Sequence, residues 1–168
     1  MRITLTVALA LVACKSEPKP APAPQAPPVV DSTPSAPGSQ NLAPLAGIAV
    51  RMNEESAQRP RVEVTADELF AAVTKRGITL TSTKQVLAAT AQASYCALGV
   101  TKENIALAVC EYETRDAARA GKQLLDSRYA KLVPDAVRTL NGNTLLTIAN
   151  ASGHPAVRDQ VLDTFQSL

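Results

Sequence analysis

The chain has 168 residues, with 17 Lys plus Arg against 15 Asp plus Glu and a formal net charge of +2. That near-balance argues against a dedicated nucleic-acid or anionic-surface binder, which concentrates positive charge. Tryptophan is absent, and two Phe and three Tyr are the whole aromatic complement, so a sugar-stacking platform has little to be built from.

Arg2 supplies one positive charge, and Ile3 through Val12 then run without a charge. This matches the length of a signal-peptide apolar region and is about half of the roughly twenty residues a spanning helix needs. The run ends in Leu11-Val12-Ala13-Cys14. An ordinary secretory signal would account for Ala13 as a small cleavage-site residue. With Cys14 included, the tetrapeptide resembles the lipobox of bacterial lipoproteins, a resemblance confined to this N-terminal segment. It implies that the Cys14 thiol receives a diacylglycerol, that residues 1–13 are removed, and that the new amino terminus is acylated. Each buried CH₂ contributes ~0.8 kcal/mol, so two or three acyl chains hold a protein on a membrane almost permanently. Lys15 follows, where an Asp would favour inner-membrane retention in enteric-type bacteria. The resemblance therefore implies a cell-envelope protein anchored by lipid, in the outer membrane rather than the inner one.

From Ser16 to Pro44 the composition shifts to Pro, Ala, Ser and Gln, with most of the chain's 12 prolines. Such a segment offers too little apolar surface to offset the entropy of ordering it. Its Lys19-to-Pro28 part favours extended polyproline II at ~3.1 Å per residue, and the later Ser/Gly part a looser coil. It reads as a spacer between lipid and domain. A proline-rich ligand for a partner groove, or an O-glycosylation site, is the alternative.

Residues 45–168 suffice for one domain, with an ordered core over about 62–168. Thr65-Ala66-Asp67-Glu68 has the pattern of a capping box, which predicts a helix over about 66–76 with Leu69, Phe70 and Val73 inward and Gly77 at its C-terminal end. Asp67 and Glu68 then serve the helix terminus rather than acid–base chemistry. The β-branched run Ile78–Thr83 reads as a strand, while 84–93 is ambiguous between strand and helix.

Two apolar runs around Thr101–Asn104 predict a hairpin. A two- or four-residue loop puts Cys96 and Cys110 on opposite faces; a three- or five-residue loop pairs Val100 with Ala106, Leu98 with Ala108 and Cys96 with Cys110. With Cys14 used for lipid, two of the three cysteines remain, and the second register allows a structural disulfide. Two free thiols or a zinc site are the alternatives. The single histidine and the long cysteine spacing fit no usual zinc finger, and no CxxC suggests a redox pair.

Thr114 and Asp116 open a helix over about 115–130, with Ala117, Ala120, Gly121, Leu124 and Leu125 inward. Arg115, Arg119 and Lys122 form a basic stripe, a candidate interaction surface for an anionic partner against the plainer reading of a solvated face. After Pro134, Asn141-Gly142 marks a hairpin with Val137 opposite Leu146 and Ile148 on the same face. Pro155 suits the first turn of a last helix with Val157, Val161, Phe165 and Leu168 buried. The order, αββ-αββ-α with an extra strand in the first half left open, predicts an α+β domain: a mostly antiparallel sheet packed by about three helices, with a hint of a duplicated αββ plan.

Ser152 and His154 invite a hydrolase reading, but no nucleophile elbow surrounds Ser152 and His154 occupies a helix N-cap position. Glu111 and Glu113 fall on one side of a strand and could chelate a cation, though exposed strand carboxylates commonly solubilise. No P-loop, dinucleotide fingerprint or HExxH is present. The expectation is a non-catalytic accessory module with no cofactor, partnered with the membrane through Cys14 and with another envelope protein or the cell wall. The alternative is a small-molecule-binding or hydrolytic envelope protein with a pocket gathering Glu111, Tyr112 and Arg138.

Overall fold

Thr65 starts a helix as its sequence predicts. Its hydroxyl accepts the Glu68 N–H at 3.2 Å and the Glu68 carboxylate accepts the Thr65 N–H at 2.8 Å, so two otherwise unpaired donors are satisfied reciprocally. The Thr65 backbone N–H first, and then the Thr65 hydroxyl donating to the carboxylate at 2.9 Å, hold the Glu68 carboxyl below its ordinary pKa. At the other end Gly77, at φ +89, lets Ile78 N–H reach Val73 O and Gly77 N–H reach Thr74 O, the paired bonds of a Schellman motif.

The computed structural model describes residues 43–168; the signal segment, Cys14 and nearly all of the proline-rich tract lie outside them. In chain order the elements are α1 (Ala43–Ala57), α2 (Ala66–Lys75), β1 (Leu80–Val86), a 3₁₀ turn (Ala88–Ala91), β2 (Tyr95–Thr101), β3 (Ala106–Glu111), α3 (Arg115–Tyr129), β4 (Val137–Asn141), β5 (Thr144–Ala149) and α4 (Pro155–Gln166). The fold is α+β, with four helices on a five-stranded antiparallel sheet of order β1-β2-β3-β5-β4. α2 and α4 cover one face over Ala97, Leu107, Val109, Leu146 and Ile148. α3 and the 3₁₀ turn cover the other over Cys96, Cys110 and Leu145. α2 and α3 sit on opposite faces, and three strands follow α2 where two follow α3.

The β2–β3 loop resolves in favour of the odd count. Thr101 N–H bonds Ile105 O across Lys102-Glu103-Asn104, and Asn104 closes the turn at φ +63, the left-handed position of a three-residue loop. Val100 then faces Ala106, Leu98 faces Ala108, and Cys96 faces Cys110. The second hairpin is corrected by one residue on each strand. Val137 faces Ile148, not Leu146, because the two turn residues are Gly142 and Asn143. Gly142 takes φ +57 at the first central position, where a type II′ turn wants glycine. Asn141 stays in the ladder and donates to Phe165 O at 2.7 Å, while Asn143 donates to Tyr112 O. Both amides are held from outside the hairpin, which places the turn.

Two helix faces also differ from expectation. On α3 the buried residues are Ala118 and Gly121, with Ala120 exposed. Gly121 lies against the Tyr112 hydroxyl, where a Cβ would collide, so the helix turns its smallest side chain to the ring. On α4 Val161, Thr164 and Phe165 are buried, but Leu168 is 50% exposed because the helix ends at Gln166, short of it.

α1 begins inside the last residues assigned to the spacer. Its C-terminal half is tied beside β1: Gln85 donates to Met52 O at 2.7 Å, Ser56 donates to Gln85 at 2.8 Å, and Glu55 accepts the Ala88 N–H at 3.1 Å.

Candidate functional site

The C-terminal end of β3 gathers most of the buried polar chemistry. Glu111, read from sequence as an exposed carboxylate, is 0% exposed. Strand alternation points it beneath the start of α2, where no water reaches it. Its Oε2 accepts from Arg59 Nε at 2.8 Å, and its Oε1 accepts from Arg59 Nη2 at 2.7 Å and from Ala66 N–H at 2.8 Å. The bidentate fork is the strongest carboxylate–guanidinium geometry, and the Ala66 donor belongs to the first turn of α2, where N–H groups lack helical partners. Arg59 also donates to Asp67 at 2.6 Å and stacks 4.3 Å from the Tyr95 ring centroid. The Glu111 hydrogen bond, above all, raises the Arg59 pKa further, so it stays charged. Burial raises the Tyr95 pKa.

Glu113 lies beyond the end of β3 and is exposed, so the two carboxylates do not form a chelating or acid–base pair. Arg59 locks one of them away; it lies 52 residues from Glu111 in sequence, and no local pattern signals that pairing.

Beside this network an open groove of about 430 Å³ is lined by Arg61, Val62, Glu63, Glu113, Thr114, Arg115 and Asn143. Three segments build it. The 58–65 connection is pinned by Arg59 and by Thr144 Oγ1 donating to Val64 O at 2.5 Å. The start of α3 contributes Thr114, whose hydroxyl caps the Ala117 N–H at 3.1 Å. The β4–β5 turn contributes Asn143, and its Gly142 carries no side chain where Glu63 lies. Arg115 donates to Glu63 at 2.6 Å, whereas Arg61 and Glu113 have no ion-pair partner among the described residues. Among the described residues the groove thus offers one unpaired cation and one unpaired anion around a paired couple, a surface for polar contact without a nucleophile–base pair.

The residues singled out from sequence fall in separate places. Cys96 and Cys110 are bonded, with Cα atoms 4.1 Å apart, and both are buried. Of the basic stripe, Arg115 reaches the groove, while Arg119 pairs with Asp116 at 2.9 Å and Lys122 with Asp126 at 2.7 Å on their own helix. The stripe carries its own counter-charges. Glu111, Tyr112 and Arg138 do not converge: Tyr112 donates to Ala91 O at 3.0 Å and Arg138 to Asp126 at 3.1 Å. Burial pushes the Tyr112 phenol up to about 12. Ser152 and His154 are both exposed, and His154 makes no side-chain cap. Among the described residues no three His, Cys, Asp or Glu gather as metal ligands, and no helix is long and apolar enough to cross a membrane.

No family model, curated protein or solved structure matches the chain.

Proposed function

We propose that the protein is a cell-envelope lipoprotein, held on a membrane by lipid on Cys14, whose folded domain is a non-catalytic interaction module for another envelope protein or the cell wall. The observation that carries this reading is the division of the three cysteines. Cys96 and Cys110 are bonded within the domain, a pairing at home in an oxidising compartment, and the remaining cysteine directly follows Ala13 at the end of an apolar run. Export and lipidation account for all three at once. The outer membrane is the proposed destination, from Lys15 after the lipidated residue.

In-cell cross-linking followed by mass spectrometry, with a variant shortened between Ser16 and Pro44, tests the module. One dominant protein or wall partner, lost when the spacer is shortened, is the expected result; cross-links no different from those of an unrelated lipoprotein contradict it.

The groove at Arg61 and Glu113 favours a second reading, a small zwitterionic ligand held by both free charges. That reading requires saturable binding of such a ligand that Arg61→Ala and Glu113→Ala each weaken.

A further inference from the structure

We propose that the N-terminal end of α1 enters the lipid surface to which the chain is tethered, an inference that rests on the anchoring at Cys14. Ala46, Gly47, Ile48, Ala49 and Val50 are consecutive, apolar and exposed, Ile48 at 41% and Val50 at 56%. The run exceeds one helical turn of 3.6 residues, so the exposure goes round the helix instead of along one stripe. A helix that is apolar all round is ordinarily buried, yet among the described residues none covers this part of α1.

Polarity changes along the axis of α1. Arg51 begins the charged half, which continues through Asn53, Glu54, Glu55 and Ser56 and is tied to Gln85 and Ala88. That axial arrangement distinguishes the candidate occupants. A protein groove takes up one face of a helix and leaves the opposite face wet. Acyl chains at the headgroup boundary surround an entering helix end at every azimuth, and they reward apolar area without requiring a stripe. Arg51 stands at the boundary between the halves, paired with Glu55 at 3.6 Å yet with its side chain 62% exposed, so that its flexible stem can also turn toward lipid phosphate. Pro44 removes one of the unpaired N–H groups that the entering end would carry.

Connectivity supplies the proximity. About 28 residues separate Cys14 from Ala43, and a chain of that length spans at most ~100 Å. The helix end is therefore confined near the anchoring membrane, where a weak affinity becomes effective. α1 then acts as a second, reversible contact that holds the domain down on the bilayer.

The chain lacks tryptophan, so Ile48→Trp in the full-length mature lipoprotein is a single reporter, with exposed Ala120→Trp on α3 as control. In vesicles of phosphatidylethanolamine and phosphatidylglycerol, the I48W emission shifts to the blue and is quenched by brominated lipid, while A120W stays quenched by aqueous acrylamide. The proposal is overturned if I48W behaves as A120W does. It is also overturned if the blue shift appears without vesicles and grows with protein concentration, which assigns the surface to a second copy. Cys14→Ser separates the two claims: if it floats with vesicles as well as the native chain, the anchor fails, while I48W quenching at saturating vesicle concentration still decides the role of α1.

Discussion

Under α2 and α4 the sheet meets Leu69, Phe70, Val73, Val161 and Phe165, all buried, from above, and presents Leu107, Val109, Leu146 and Ile148 from below. Under α3 and the 3₁₀ turn the buried set is Ala88, Ala91, Ala118, Cys96 and Cys110, with Leu145 and Tyr112 as its only large members. Burial contributes ~25 cal/mol per Å² of apolar surface, so alanines and cysteines supply far less of it than leucines and phenylalanines. The first face is held by volume. The second is held by specific links: one disulfide, one phenol bonded to Ala91 O, and the close approach that Gly121 allows.

Mutation at each face should expose that difference. Phe165→Ala removes the largest fully buried apolar side chain of the first face and should cost about 3–5 kcal/mol in denaturant unfolding. Glu111→Ala acts at the rim of the same face by removing the partner of a half-buried guanidinium and of the Ala66 N–H. The expected loss is again about 3–5 kcal/mol, and a loss below ~1 kcal/mol would show that water replaces the carboxylate there. On the second face, replacing both cysteines by serine should cost about 3 kcal/mol, since the bridge closes a loop of roughly 15 residues. Reduction of the native protein should reproduce that loss.

The smallest effect is confined to alkaline pH. Tyr112 titrates at about 12 in the fold against 10.0 unperturbed. A raised folded pKa means that its contribution is complete below pH 10 and is lost as pH rises from there through 12. The urea midpoint of the native protein should therefore fall over that window relative to that of Tyr112→Phe protein, which has no phenol to ionise and lacks the hydrogen bond at every pH. A constant gap would mean that the ring is not the group that titrates.

The legible parts of the sequence were those whose determinants are local. Thr65 and Glu68 sit three residues apart and fix the start of α2. Cys96 and Cys110 constrain one another across a short loop, so parity of the turn decided the register. The β4–β5 turn was displaced because Asn141 and Asn143 are equally good turn residues, and their choice is made by Phe165 O and Tyr112 O on other elements. Glu111 was misread for the same reason: alternation tells which side a strand residue points to, but Arg59 and the start of α2, which bury it, arrive from 52 and 45 residues away. α1 gave no apolar stripe to detect, because its first described turns are apolar on every side and Pro44 and Gly47 resemble the end of the spacer.

The most direct test is the covalent state of the mature chain. The protein is extracted from membranes, denatured, treated with a thiol-alkylating reagent without reductant, and its peptides are weighed. The expected result is an acylated N-terminal peptide beginning at Cys14, a Cys96 peptide linked to a Cys110 peptide, and no alkylated thiol. An unmodified Cys14, or alkylated Cys96 and Cys110, would contradict it.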